Sequence, residues 1–355
     1  MIATELTRLL QIEHPVLSAG MARVAQADLV VAVSEAGGMG CLGGVSFMPD
    51  ALRAEIRDIR SRTSKPYAVN LLLPESLTTE DEATWAPVRE LWDAMSPAQR
   101  TKLAGVQALL TPGAVTDQVQ VVLDEAPPVV VLTFATPSWF IDAARSRGIL
   151  VGAMVGSIGG AQRAAASGID FLIAQGTEGG GHTGHVATMA LTPAVVDTVD
   201  LPVAAAGGIT DGRGLAAALA LGAQAVWVGS RFIATPEAYG HDAFKARVLA
   251  GHSRDTVLTK SYTGKPLRAF RNQWTTKWEG DPSSVRGFPG QYAVAGERVE
   301  TGYQDGDLDW GMMPIGQGVE NIHELTPAGD VVTSMVAEAE AIIGALARST
   351  TTSVE

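Results

Sequence analysis

Short apolar runs alternate along the chain with alanine-rich stretches whose apolar residues recur at helical spacing. The runs fall at residues 15–18, 39–42, 67–71, 129–132, 149–153, 171–174, 203–206 and 225–228. They are continuous rather than alternating, as expected of parallel strands buried on both faces. Helices are expected between them, for example at 27–36, 161–167 and 213–221. Repeated strand–helix units predict an α/β fold with a parallel sheet, and eight of them predict a closed (β/α)₈ TIM barrel. An open doubly wound sheet gives the same local pattern, but no Gly-x-Gly-x-x-Gly follows the first run.

Two stretches break the rhythm. Residues 74–100, rich in Glu, Thr and Pro, read as an insertion. Residues 236–315 carry Tyr262, Phe270, Arg271, Trp274, Trp278, Tyr303 and Trp310 without strand–helix alternation. They read as a smaller, mainly helical second lobe at the barrel mouth. The expected organisation is a barrel over 1–235 with the insertion at about 74–100, and a cap or substrate lobe over 236–315. A segment over 316–347 then returns to the barrel, its apolar period from 329 to 347 closing the wall, and a frayed tail follows at 348–355.

Composition narrows the function. A net charge of −12 with no evident Lys/Arg cluster argues against a nucleic-acid surface. There is no apolar run of membrane-spanning length and no secretory leader, so a cytoplasmic address is expected. The single cysteine, Cys41, cannot form an internal disulfide or a cysteine-based zinc site and reads as a small buried residue.

The chemistry concentrates where runs end. In Ala205-Ala206-Gly207-Gly208-Ile209-Thr210-Asp211 a strand ends in paired glycines before a helix. The eighth run ends in the same way, in Val228-Gly229-Ser230-Arg231-Phe232. Exposed backbone N–H groups at such turns cradle phosphates, and the last two strand loops are the usual phosphate site of a barrel. After the sixth run comes Gln175-Gly176-Thr177-Glu178-Gly179-Gly180-Gly181-His182-Thr183-Gly184-His185. Three consecutive glycines are costly to order unless something flat lies against them, and a flavin ring qualifies. His182 is placed there for proton abstraction; the spacing assigns His185 no role. No carboxylates complete a metal site around the two histidines. Ala19, Gly20 and Met21 follow the first run and Asn70 ends the third, positions that line the active face of a barrel. No Gly-x-Ser-x-Gly elbow is present.

These residues carry a family resemblance. The stretch from His14-Pro15 to Gly20-Met21, Ala36-Gly37-Gly38-Met39-Gly40, the Gly179–Gly184 loop, Ala206-Gly207-Gly208-Ile209 and Gly229-Ser230-Arg231-Phe232 resemble the nitronate monooxygenases, formerly 2-nitropropane dioxygenases. The similarity spans about residues 10–320, and its motifs are shared with the FMN-dependent enoyl-acyl-carrier-protein reductases. It implies an FMN barrel with a helical lobe, acting on a small-molecule substrate and dioxygen, with a homodimer possible. The family's loop histidine, its base, matches His182. The expected cofactor-binding set is Ala19, Gly20, Met21, Asn70, Gln175, Gly180, Gly181, Ala206, Gly207, Gly208, Gly229, Ser230 and Gln317. In the best-studied class a tyrosine and a lysine four apart follow the cap; here the stretch reads Met312-Met313-Pro314-Ile315-Gly316-Gln317-Gly318, a more apolar corner. The implied activity is oxidation of nitronates or nitroalkanes to a carbonyl compound and nitrite. An NAD(P)H-dependent reductase of α,β-unsaturated thioesters is the alternative, and a flavin-sequestering protein the non-enzymatic one.

Overall fold

The computed structural model describes residues 2–73 and 112–351 together with residues 86, 90, 93, 94, 96 and 97. The expected insertion at 74–100 therefore lies almost wholly outside the described residues.

All eight apolar runs are strands. They are β1 (Val16–Ser18), β2 (Gly40–Leu42), β3 (Tyr67–Leu73), β4 (Val129–Phe134), β5 (Leu150–Val155), β6 (Phe171–Gln175), β8 (Val203–Ala206) and β9 (Ala225–Val228). Their order is β1-β9-β8-β6-β5-β4-β3-β2, every pairing parallel. A parallel bridge between Leu17 and Met39, with Ser18 N–H donating to Met39 O at 3.0 Å, closes the sheet into a barrel. Alternation sets the two cores. Val129 and Val131 point into the barrel with Leu17, Met39, Phe171 and Ile173, whereas Val130 and Leu132 face the helical wall. The lone thiol, Cys41, is wholly buried in the barrel interior, and burial pushes its pKa up.

Helix α1 (Glu5–Leu10) seals the N-terminal end of the barrel. Leu6 and Leu10 join the interior cluster, and Leu6 N–H donates to the side chain of Gln224, just before β9. The opposite, C-terminal end is left for the site.

The wall helices are α2 (Ala27–Glu35), α3 (Pro49–Arg62), α4 (Pro112–Glu125), α5 (Ser138–Arg145), α6 (Ile158–Ala166), α7 (Thr188–Val196) and α8 (Gly212–Ala220). Strand β9 is followed only by the single turn α9 (Ser230–Ile233). The missing wall segment is supplied by the end of the chain: α13 (Ala328–Thr351) packs on α8 and α2. It runs to Thr351, past the 347 at which the apolar period ended.

Between α9 and α13 the second lobe holds α10 (Asp242–Leu249), α11 (Gln273–Glu279) and α12 (Gly290–Gln304). It also holds an antiparallel pair that sequence periodicity missed, β10 (Thr256–Thr259) with β11 (Leu267–Phe270). Strand β11 pairs in turn with β7 (Gly181–His182), so the histidine loop is the third strand of the lobe's sheet. Four of the flagged aromatics form the lobe's own core, Tyr262 stacking on Trp274 with Trp278 and Trp310 against it, whereas Phe270 and Tyr303 pack into the cluster shared with the barrel wall.

The junction of α8 with α13 is tight. Gly212 N–H donates to Glu338 at 2.7 Å, and a Cβ on Gly212 would lie 2.5 Å from that of Glu338. Gly212→Ala is expected to overpack this joint at a cost of about 1–3 kcal/mol. Thermal unfolding should fall by roughly 2–4 °C per kcal/mol; an unchanged midpoint would show that α13 is not firmly docked there.

Candidate functional site

The loops leaving β1, β3, β6, β8 and β9 converge on one cavity at the C-terminal end of the barrel. It is lined by Ala19, Gly20, Met21, Asn70, Gln175, Gly180, Gly181, His182, Ala206, Gly207, Gly208, Gly229 and Ser230. Of the expected catalytic and cofactor-binding residues, only Gln317 is not among those lining it, although Gly316 and Gly318 on either side are. Gln317 instead gives its backbone N–H to Glu178 O at 2.9 Å.

The glycines of this cavity have different causes. A Cβ on Gly20 would lie 2.4 Å from that of Asn70, and one on Gly207 would lie 2.7 Å from the Thr188 hydroxyl, so both are required by neighbouring protein. In the triple-glycine run, a Cβ on Gly179 would press on the Gln175 side chain, and one on Gly180 would lie 2.8 Å from the Ile315 carbonyl carbon. Protein packing thus accounts for two of the three glycines that the sequence reading ascribed to a flat ligand. Gly181 is different: its φ of +75° favours glycine, and no heavy atom lies within 4 Å of where a Cβ would be.

A Cβ on Gly208 or Gly229 would meet protein only at ordinary contact distance, for Gly208 the Cβ of Glu178 at 3.5 Å. Gly229 has an ordinary φ of −104°, and a Cβ there would approach nothing nearer than Ala19 at 3.6 Å and Met21 at 3.7 Å. The Ser230 hydroxyl accepts the Gly316 N–H at 2.9 Å, which brings Gly316 and Gly318 to the same rim. This concave, glycine-lined backbone at the last two barrel strands suits a single phosphate. Opposite it, Asn70 Nδ2 donates to Val131 O and Thr133 Oγ1, fixing the amide against β4.

His182 stands where barrel and lobe meet. Gln175 Nε2 donates to the His182 carbonyl at 2.7 Å, and Arg268 of β11 donates to Thr177 O at 2.8 Å, so the loop is held from both sides. The imidazole lies edge-on to Phe134, ring centres 5.0 Å apart, with Nε2 2.9 Å from Thr263 Oγ1. The ammonium of Lys265 sits 4.2 Å from the centre of the Phe134 ring. Burial lowers the His182 pKa from 6.5 to about 4, and the Lys265 charge adds to the effect. The ring is therefore neutral at pH 7 and can accept a proton. Phe134, at φ +81°, occupies a backbone region unusual for a bulky residue, costing about 1–3 kcal/mol, a kind of strain that collects at working sites.

Sequence reasoning did not find Phe134, Thr263 or Lys265. Only Phe134 left a signal: it ends β4, and strand C-termini line a barrel's active face. His185 does not line the cavity. It borders a second void of about 810 Å³, which meets the first, of about 240 Å³, at Thr133, Met154, Gln175 and His182. Among the described residues no group of side chains is arranged to hold a metal ion, and no helix is long and apolar enough to cross a membrane.

Closed barrel, glycine-lined rim and neutral histidine together have the form of an enzyme site at the C-terminal end of a barrel. A family model of nitronate monooxygenases matches residues 3–338. A probable nitronate monooxygenase of Staphylococcus saprophyticus is 30% identical over 96% of this chain and 99% of its own. A second relative, from Mycobacterium tuberculosis, is the (3aS,4S,5R,7aS)-5-hydroxy-7a-methyl-1-oxo-octahydro-1H-indene-4-carboxyl-CoA dehydrogenase. It is 36% identical over 83% of this chain and 74% of its own. Among solved structures, nitroalkane oxidase from Streptomyces ansochromogenes superposes with a TM-score of 0.82. It is 29% identical and covers 97% of this chain and 100% of its own. The chain belongs to the nitronate monooxygenase family and is a flavin-dependent oxidoreductase.

Two outcomes follow from this geometry. Lys265→Met removes the smaller of the two causes that depress His182, so its pKa should rise above about 4 yet stay below 6.5; imidazole NMR titration measures it, and no movement would remove Lys265 from the account. Gly229→Val should cost flavin occupancy far more than thermal stability, because its Cβ meets protein only at ordinary contact distance while its methyls occupy the cavity rim. Gly208→Val is a poorer probe, since its φ of +73° strains the backbone regardless of ligand. Full occupancy in Gly229→Val would relocate the phosphate.

Proposed function

We propose that the flavin is FMN, its phosphate on the backbone of Gly207, Gly208, Gly229 and Ser230 and its ring toward Gly181 and His182, and that the enzyme oxidises nitronates or nitroalkanes with dioxygen. The fit of the group rests on the rim: Gly208 and Gly229 leave room for an anion that a side chain would fill, and no second pyrophosphate loop is evident among the described residues. The remaining cofactor contacts are assigned to Ala19, Gly20, Met21, Asn70, Gln175, Gly180 and Ala206, all lining the cavity. Gln317 keeps a backbone role, holding the rim through Glu178. When bound, the flavin supplies the electron acceptor that dioxygen regenerates.

The observation that carries the reading is the neutral, recessed His182 beside an open Gly181. In this proposal the Thr263 hydroxyl donates to Lys265 O at 3.3 Å and so accepts Nε2–H from the ring. Nδ1 then carries the lone pair that takes the α-proton of a nitroalkane. Burial, with a smaller contribution from the Lys265 charge, keeps His182 unprotonated between substrates. Apolar Met312 and Pro314 line the cavity where the best-studied class has tyrosine and lysine, which suits an uncharged reacting carbon.

A second reading keeps the same site and replaces the nitronate with an acyl thioester. One observation favours it: a relative 36% identical carries a carboxyl-CoA substrate in its name.

His182→Ala separates binding from chemistry. It should retain flavin and lose roughly 10²–10⁴ in kcat/KM with a neutral nitroalkane, the span of a positioned general base, and far less with preformed nitronate. With the neutral substrate the acid limb of the pH profile should lie near 4 rather than 6.5, because the rate rises as His182 loses its proton. Parental rates on the neutral nitroalkane would eliminate His182 as the base.

A further inference from the structure

A base as recessed as His182 leaves a deficit. With a pKa of about 4 the imidazole is a weak acceptor for a proton bound to carbon. Such a base suffices only if the anion it creates is stabilised as it forms, by a positive charge already in place near the reacting atoms.

One side chain beside the ring carries that charge. Lys265 lines the second void together with His182 and Phe134, and its charge is the one that reaches the imidazole. The ammonium lies 4.2 Å from the centre of the Phe134 ring and 5.6 Å from that of Phe288. Aromatic faces attract a cation without cancelling its charge. Phe134 also meets the imidazole edge-on, so one ring touches both the base and the ammonium.

The turn between β10 and β11 that presents Lys265 is fixed. Gly264, at φ +84°, has no room for a Cβ, which would lie 2.5 Å from Phe288 N. The Thr263 hydroxyl, 2.9 Å from His182 Nε2, accepts the Lys265 N–H at 3.3 Å. A single hydroxyl therefore positions the base and the lysine together.

We propose that Lys265 is a second catalytic residue, its ammonium pairing with the nitro oxygens of the substrate as His182 removes the α-proton. The inference rests on the reading of His182 as the base for a nitro compound, and it adds the group that makes this base sufficient. In the step, Nδ1 takes the proton, the electron pair of the C–H bond moves onto the nitro group, and Lys265 holds the negative charge that collects on its oxygens. The substrate loses a proton and no electron. The same ammonium repels the imidazolium that forms, yet at the ring its charge is the smaller of the two causes that lower the pKa. Attraction to oxygens at hydrogen-bond distance outweighs it.

The test sets two roles of the lysine against each other in the flavin-loaded parent, Lys265→Met and Lys265→Arg. Lys265→Met makes His182 a stronger base, so a lysine that only tunes the ring predicts an equal or faster reaction with neutral nitroethane at about pH 8, where the imidazole is unprotonated in every form. The proposal predicts the opposite. In Lys265→Met kcat/KM should fall roughly 10²–10³-fold, the cost of losing one donor to a developing oxyanion, and Lys265→Arg should restore it to within about tenfold of the parent. Propionate, a planar anion shaped like a nitronate, supplies a reading without turnover: by calorimetry it should bind the parent and Lys265→Arg, and at least about tenfold more weakly Lys265→Met. Parental kcat/KM in Lys265→Met overturns the proposal, as does a loss shared equally by both variants, which would mark packing against Phe134. Propionate affinity that is equal in parent and Lys265→Met, or absent in the parent, overturns it as well. A parent that binds propionate through Lys265 yet leaves nitroethane untouched would defeat the nitro-compound reading instead and keep Lys265 as an anion site.

Discussion

A backbone contact without a side chain between its partners, Gly180 against Ile315 and Gly316, governs the site. From it the segment after the second lobe crosses three strand loops in succession. Gly316 N–H reaches Ser230 after β9, Gln317 N–H reaches Glu178 O after β6, and Gly318 lies against the Gly208 carbonyl after β8. The Glu178 carboxylate accepts the Thr188 N–H at 2.9 Å, and the Thr188 hydroxyl bonds to Gly207 O, tying the amino end of α7 into the same joint. Three strand loops thus become one surface with a segment that lies at least 86 residues further along the chain. A side chain at Gly180 or Gly316 would separate them.

The joint also decides the chemistry. Because β7 is the third strand of the lobe's sheet, His182 is held by barrel and lobe together: its carbonyl by Gln175, its ring by Thr263 and Phe134. Removing the imidazole from water lowers its pKa, and Lys265 on the neighbouring strand connection lowers it further. A histidine on a free loop would titrate near neutrality; this one stays unprotonated through the physiological range. The electrostatic setting is a product of docking the lobe on the barrel.

Much of this was legible in the chain. Eight continuous apolar runs gave the barrel, since a strand buried on both faces has little choice of residue. The glycine pair at 207–208 and the Gly229-Ser230 turn marked the rim, because each run must end where the backbone turns over the mouth. The hairpin of β10 and β11 escaped because its four-residue strands carry no alternation of their own and are stabilised by pairing with β7. Thr263 and Lys265 escaped for the same reason: their place follows from that pairing and from nothing local. The triple glycine was assigned to a ligand, whereas two of its members make room for Gln175 and Ile315. A close approach between distant backbone segments leaves the same mark in a sequence as a cofactor does.

The proposed function requires one phosphate-bearing flavin between the glycine rim and His182. Mass determination of the small molecule released on denaturing the purified, flavin-loaded protein tests it directly. FMN is expected at one equivalent per chain. FAD, or a protein that remains colourless after incubation with FMN, would contradict it.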